Sequence, residues 1–374
     1  MVDTKRKSSF TQCSSDSPEY VKTSLAGSIS LGMEQGRFTG GAGCTCLNLL
    51  LNYETGCYAN CGYCGLAANR SSPPRLNAEV PLRDQTSRPS GASAAGTFIR
   101  VRWPLYSLES ILEKMKEARH PFQRVCVSMV THPRAVDDCC AVINSVRSGT
   151  GLPVSALISP TIMNGKDDMR RIKEAGADRV GIAIDAATEK LFDALRGKGV
   201  SGPHKWERYF TALDEAVTVF GAYNAGVHLI VGIGETESEM ARIIDQCHQK
   251  GAVTHLFSFY PEQGSPMEHH PRPSMGRYRR MQLARYLINE SICSYQDFTF
   301  SSKGELAGFG IDIGPFIEKG FPFMTSGCPG RDGTVACNRP FGNERPSEPI
   351  RNYHFMPDSG DKQLIASQIF EDIE

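Results

Sequence analysis

Six apolar runs punctuate this chain, and all but the first are followed at short range by a segment patterned for a helix. The runs are Cys46–Tyr53, Arg124–Thr131, Pro153–Ile158, Arg179–Ile184, Gly226–Gly232 and Val253–Tyr260. Short apolar runs alternating with amphipathic helices predict βα units and a parallel sheet, hence an α/β fold. The helical stripes are legible. Leu108, Ile111, Leu112 and Met115 recur at i, i+3, i+4 and i+7 behind a capping Ser107. Val136, Cys139, Cys140, Ile143 and Val146 share a second stripe, and Met169–Ala175 forms a short helix stopped at Gly176. Trp206, Tyr209, Phe210, Leu213 and Val217 mark a further helix, Met240, Ile243, Ile244 and Cys247 another, and the last runs from Met275 to Ile292.

The flanks are expected to differ. Residues 1–16 are polar and serine-rich and read as a disordered tail. Ser17 followed by Pro18 predicts a helix start, cap then first turn, with a helix through Tyr20 to Met33. A core domain is expected over 17–294 and an irregular C-terminal extension over 295–374. Residues 71–97, rich in Ser, Pro, Arg, Ala and Gly, form a long loop of the kind that serves as a lid or binding loop. Phe98–Arg102 alternates like a strand, so Arg100 and Arg102 share one face, to meet a carboxylate or to face solvent.

Charge narrows the function classes. The 374 residues carry 41 basic and 41 acidic side chains, which argues against a polyanion-binding protein. No run of about 18 apolar residues is present, so no membrane span is expected. Met1–Lys7 is not followed by an apolar stretch, so no secretory signal is expected either, and the setting is read as cytoplasmic. In that setting thirteen cysteines argue for metal ligation and catalysis rather than disulfides.

The cysteines divide by position. Cys139, Cys140 and Cys247 lie on apolar helix stripes and read as small buried hydrophobes, and Cys13 sits in the tail. Cys57, Cys61 and Cys64 form a C-x3-C-x2-C triplet just after the first apolar run. A structural zinc site takes four ligands, and a [4Fe–4S] cube normally takes four cysteines. No fourth cysteine follows at short spacing, so one iron is left open for chemistry. Cys44 and Cys46, two apart at the head of a strand, either face one site together or are two small core residues. Cys328 and Cys337 lie in a Gly/Pro-rich loop off any stripe, where core packing does not account for them.

The triplet in this strand-to-loop setting resembles the radical S-adenosylmethionine (SAM) superfamily. That resemblance implies a partial (β/α)6 TIM-like barrel with its site at the C-terminal ends of the strands. It implies a [4Fe–4S] cluster on Cys57, Cys61 and Cys64, with SAM on the remaining iron and Tyr63 packed on the adenine. Asp185, in a segment similar to the biotin-synthase-like branch, would bind the SAM ribose, or serve only as a helix cap. Arg196 would pair with the methionine carboxylate, or be an exposed helix-end arginine. Ile230-Val231-Gly232-Ile233-Gly234-Glu235 matches the superfamily's I-x-G-x-x-E pattern along the adenine, implicating Gly232 and Glu235. Thr131-His132-Pro133 stands where the superfamily has Gly-Gly-Glu contacting the SAM amino group; the glycine pair and the acid are missing here.

Within the superfamily, biotin synthase holds a second cluster through cysteines on interior strands. Here Cys126 lies on the second strand, but Ser155 and Ala156 occupy the third, and Val227 and Leu229 the fifth. The stretch from Gly36 through Leu47–Leu51 to the triplet is similar instead to the split, two-subunit lipoyl synthases. So is the tail that carries Cys328, Cys337-Asn338-Arg339-Pro340-Phe341 and Asn343-Glu344-Arg345-Pro346. That resemblance implies a second [4Fe–4S] cluster on Cys46, Cys328 and Cys337, with Cys44, Ser347 or an exchangeable molecule as fourth ligand. It implies sulfur insertion into an octanoyl chain on a carrier domain, a paralogous radical SAM subunit, and a one-electron donor such as ferredoxin or flavodoxin. The alternatives are a single-cluster mutase or lyase of the methylornithine-synthase or hydrogenase-maturase type, and a non-catalytic zinc scaffold.

Overall fold

The computed structural model describes residues 14–38, 42–67, 100–117, 120–345 and 347–373. Cys13 and nearly all of the expected tail, the 71–97 loop, Phe98 and Ile99 lie outside the described residues. In chain order the first elements are β1 (Tyr20–Thr23), α1 (Leu25–Ser30), β2 (Cys46–Leu51), β3 (Leu105–Ser107), α2 (Leu108–Glu117), β4 (Arg124–Ser128) and α3 (Ala135–Thr150). Then come β5 (Val154–Ile158), α4 (Lys166–Glu174), β6 (Ala177–Asp185), α5 (Glu189–Leu195), α6 (Trp206–Phe220) and β7 (Ala225–Val231). They continue with α7 (Glu237–Gln249), β8 (Ala252–Ser258), α8 (Met275–Asn289), β9 (Thr299–Phe300) and β10 (Leu306–Gly308), ending in α9 (Gly314–Lys319), α10 (Arg339–Gly342) and α11 (Ser359–Gln368).

Six strands run parallel in the order β2-β4-β5-β6-β7-β8, so the six apolar runs do become the βα barrel strands. Every residue of β2 is buried, as befits a strand covered on both faces. The helices end as their sequences dictate. A left-handed Gly151 closes α3, and a Thr236–Glu239 capping box opens α7.

The expected helix from Ser17 to Met33 is corrected. Tyr20–Thr23 is a strand, antiparallel to both β2 and β3, and the helix is only Leu25–Ser30. Tyr20, Val21 and Thr23 favour a pleated surface, and Val21 and Thr23 alternate inward against β2. The Ser24 hydroxyl, not that of Ser17, caps the helix by accepting from the Gly27 amide at 3.1 Å. The shared face of Arg100 and Arg102 is also corrected. Arg100 has φ +71°, which breaks the alternation. Its buried guanidinium pairs with Glu348, whereas exposed Arg102 meets Glu34 at 3.2 Å.

The strand order is open at β8, and residues 325–338 of the extension cross that seam. Ser326 Oγ lies 3.3 Å from His255 Nδ1 on β8. At the other side Thr45 Oγ1 donates to the Ala336 carbonyl at 2.6 Å, and Asn338 Nδ2 donates to that of Gly43 at 2.7 Å. The extension is also pinned by α8, whose Arg279, Arg280 and Arg285 are buried. Arg279 donates to the carbonyls of Ile350 and Arg351, and Arg285 to that of Pro322. Arg280 pairs with Glu237 at 2.5 Å, both essentially inaccessible; removing one partner would strand a buried charge at a cost of about 3–5 kcal/mol.

Candidate functional site

The triplet loop leaves the C-terminal end of β2 and is tied down on three sides. The Tyr58 amide donates to the Thr131 carbonyl at 2.8 Å, Gly62 to that of Leu195 at 2.7 Å, and Asn60 Nδ2 to that of Val200 at 2.6 Å. Cys57, Cys61 and Cys64 then line one cavity inside the C-terminal mouth of the barrel. Two backbone amides already point at sulfur: Thr131 at Cys57 Sγ, 3.3 Å, and Leu66 at Cys64 Sγ, 3.4 Å. Such donors favour the thiolate forms that metal ligation requires. Burial pushes the Cys61 thiol up, and the neighbouring Arg196 charge opposes this.

Asp185 closes β6 with φ +66°, at an irregularity in its pairing with β7. A non-glycine residue in that region is uncommon, and such strain gathers where a side chain must be aimed. Here the carboxylate is aimed into the cavity. Its Oδ2 accepts a 2.5 Å hydrogen bond from the Tyr63 hydroxyl and lies 3.3 Å from the Arg196 guanidinium. Arg196 is buried and lines the same cavity. It also donates to the carbonyls of Ala183 and Ile184 and, at 3.1 Å, to the Tyr209 hydroxyl, so its fork braces the end of β6. Burial pushes the Tyr63 hydroxyl well up. Burial and the Arg196 charge hold His204, also on the cavity wall, neutral at about 2.

Thr131 lines the cavity and its hydroxyl lies 3.0 Å from that of Ser159. His132 turns away and stacks on Tyr53 at 3.7 Å. Gly232 adopts φ +98°, and a Cβ there would stand 2.6 Å from Pro273 Cδ. Glu235 is buried beneath that turn. It accepts the amides of Gly232 at 2.7 Å and Ile233 at 3.0 Å and pairs with Arg277 at 2.7 Å. The cavity wall itself is mostly apolar, including Leu50, Leu157, Ile158, Ile230 and Phe257, with Tyr260, Glu262 and Arg339 among its polar members.

A second set of thiols gathers at the opposite, N-terminal ends of the strands. Cys46 opens β2 beside Cys337 of the seam loop: Thr45 Oγ1 donates to the Ala336 carbonyl at 2.6 Å and the Thr45 amide to Asn338 Oδ1 at 3.3 Å, on either side of Cys337. The adjacent Cys46, with the charges of Arg339 and Arg124 behind it, draws Cys337 down. Burial holds Cys46 well up. Burial pushes the Cys328 thiol up, and the charge of neighbouring Cys337 adds to this. Cys126 feels both Cys337 and Cys328. Cys44 is buried beside Cys46, and its thiol donates to the Cys46 carbonyl at 3.0 Å. Arg124 forms the floor, held bidentately by Asp178 at 2.5 and 2.7 Å and donating to the Pro329 carbonyl at 2.5 Å. Arg339 lies between the two thiol sets: burial pulls its pKa down, and the neighbouring Cys126, Cys337 and Asp185 oppose this without reversing it.

Three contributors escaped the sequence reading as members of a site. Cys126 had a signal, since Arg124, Cys126 and Ser128 share the inward face of one strand. Tyr260 and Glu262 follow the last strand into the cavity rim, and no local pattern marks them. Among the described residues no three Cys, His, Asp or Glu side chains stand close enough to hold a single metal ion, the Cys57–Cys61–Cys64 triplet included. One zinc at about 2.3 Å from each sulfur needs tighter convergence than this. A cube carries its irons apart and reaches more widely spaced thiolates, so three thiols on one wall with amides aimed at them fit a [4Fe–4S] cluster.

A family model described as the radical SAM superfamily matches residues 51–247, more than half of the chain. No curated protein sequence matches it. Similar solved structures include methylornithine synthase (PylB), at 13% identity and TM-score 0.46, covering 71% of this chain and 67% of that one. HydG, a maturase of the [FeFe]-hydrogenase, stands at 14% and 0.46, covering 66% of this chain and 49% of its own. The radical SAM methyltransferase TsrM from Kitasatospora setae stands at 14% and 0.37, covering 68% and 44%. The chain thus spans about two thirds of the synthase and about half of the maturase. No helix among the described residues is long and apolar enough to cross a membrane.

Proposed function

This chain belongs to the radical SAM superfamily, and we propose that it inserts sulfur into a protein-bound octanoyl chain, drawing the sulfur from a second iron–sulfur centre. Membership implies a [4Fe–4S] cluster and SAM, which together supply a 5′-deoxyadenosyl radical able to take hydrogen from an unactivated carbon. Cys57, Cys61 and Cys64 hold that cluster. Asp185, aimed by Tyr63 and Arg196, receives the ribose hydroxyls, and the turn at Gly232, braced by Glu235, lets the adenine approach. The wall of Leu50, Leu157, Ile158, Ile230 and Phe257 excludes water and suits an alkyl chain.

The observation that carries the sulfur reading is that the seam loop brings Cys337, with Cys328 on the same loop, beside Cys46. Cys46 is buried and the two loop thiols are half-buried, off every packing stripe, at the other end of the same barrel interior. The partners follow from the resemblance: an octanoylated carrier domain, a paralogous radical SAM subunit, and ferredoxin or flavodoxin as one-electron donor. Iron and sulfide analysis of anaerobically reconstituted protein tests it. About eight irons per chain, falling to about four in Cys328→Ala/Cys337→Ala, supports two cubes. About four in both proteins sinks the sulfur source.

A second reading, a single-cluster mutase or lyase of the methylornithine-synthase or hydrogenase-maturase type, is favoured by the polar rim. Arg100, 4.3 Å from the centre of the Tyr260 ring and donating its amide to Glu262, backs these two cavity-lining residues, which would present a phenol and a carboxylate to a small polar substrate. A product without new sulfur, whatever the substrate, would support it.

A further inference from the structure

We infer that Cys126 is the fourth thiolate of the second centre, so that Cys46, Cys126, Cys328 and Cys337 form a closed four-cysteine site. This rests on the proposed second centre and completes it. Adjacent parallel strands lie about 4.8 Å apart. Cys126 on β4 stands in register with Ser155 on β5, and Arg124 bridges that strand to the loop, donating to the Ser155 hydroxyl at 2.8 Å and to the carbonyl of Pro329, next to Cys328, at 2.5 Å. On its other side Cys126 is in register with Asn48 of β2, two residues along from Cys46 on the same inward face. The Asn48 amide in turn donates to Cys46 Sγ at 3.2 Å. Two strand thiols thus face two loop thiols across one small volume.

The loop is shaped to deliver its pair. The amides of Ala336 and Cys337 both donate to the Cys328 carbonyl, at 3.0 and 3.1 Å. A Cβ on Gly327 would stand 2.2 Å from the Cys337 carbonyl oxygen, so only glycine permits that approach. The buried guanidiniums of Arg124 and Arg339 place positive charge beside sulfurs that would be anionic when ligating. Of the other candidates for fourth ligand, Cys44 is buried in the same neighbourhood, but its thiol is engaged with the Cys46 carbonyl at 3.0 Å. Ser347 is exposed and adjoins Glu348, whose partners Arg100 and Arg272 flank Tyr260 at the barrel's far mouth.

The test compares full-length wild type, Cys126→Ala, Cys126→Ser and Cys139→Ala after anaerobic reconstitution, reading iron and sulfide content and the electron paramagnetic resonance of the reduced and oxidised forms. Cys139 lies on the core stripe of α3, and its variant serves as the control for losing a buried thiol. Cys126→Ala is expected to lose about four irons per chain, or about one with a three-iron signal in the oxidised state, while the triplet cluster persists. Cys126→Ser, able to ligate through oxygen, is expected to keep the iron with a shifted second signal. A Cys126→Ala protein with wild-type iron and spectrum would overturn the assignment while leaving the second centre standing. About four irons in the wild type itself would overturn the reading on which the assignment rests, and the assignment with it.

Discussion

The Tyr63 hydroxyl and Asp185 Oδ2 meet at 2.5 Å, joining the last turn of the cluster loop to the end of β6, 122 residues away. Together with Arg196, 3.3 Å from the same oxygen, the bond aims the carboxylate, and it couples the triplet to the expected ribose site. Asp185→Asn is expected to weaken SAM binding about 10- to 100-fold, the range of a lost hydrogen bond to a charged group, about 1.5–3 kcal/mol. Tyr63→Phe keeps the carboxylate and removes only the clamp, so its loss is expected to stay under about tenfold. Equilibrium SAM binding to the reconstituted protein, with cluster absorbance as the loading control, separates the two. Equal losses in both variants would show that Asp185 acts only through Tyr63.

Gly232 is fixed by backbone and by space together. Gly232→Ala is expected to destabilise the fold by about 1–3 kcal/mol, because it combines φ +98° with a Cβ 2.6 Å from Pro273. Gly264 has φ +76° with nothing within 4 Å, so Gly264→Ala keeps the backbone strain alone and is expected to cost about 1 kcal/mol. Urea unfolding of both variants measures the difference.

Glu348 joins Arg100 and Arg272, tying the segments before β3 and α8 to the extension. Burial pushes its carboxyl up, but hydrogen bonds from Arg272 and Arg100 outweigh this and hold it below its ordinary value of 4.5. The folded state therefore favours the ionised form. Its contribution is complete above pH 4.5 and fades as pH falls through the lower, folded value. Glu348→Gln is expected to flatten the stability–pH curve below pH 4.5 and leave its shape near neutrality unchanged. Thermal unfolding from pH 3 to 7 reads this.

What the sequence disclosed depended on range. The six strands and their helices were legible because hydrophobic period is a local signal, and the triplet because its ligands lie within eight residues. The N-terminal helix was misread because Ser17-Pro18 imitates a cap, while the true determinant was pairing with β2 and β3. Nothing local marks the arginines of α8 for burial; they are buried because the extension, about 40 to 70 residues later, supplies the carbonyls that receive them. Cys126 went unassigned for the same reason. Its partners Cys328 and Cys337 arrive from the far end of the chain, and nothing in Val125-Cys126-Val127 announces them.

The central claim is most directly tested by following sulfur itself. The protein is reconstituted anaerobically with heavy-isotope sulfide, freed of excess, and mixed with an octanoyl-lysine peptide, SAM and a one-electron reductant. The paralogous subunit is present in one arm and absent in the other. Mass spectrometry of the peptide is expected to show heavy sulfur bound to the octanoyl chain, at no more than one atom per protein chain, and none with Cys328→Ala/Cys337→Ala. SAM cleavage with an octanoyl peptide that gains no sulfur, or gains only unlabelled sulfur, in either arm would contradict it.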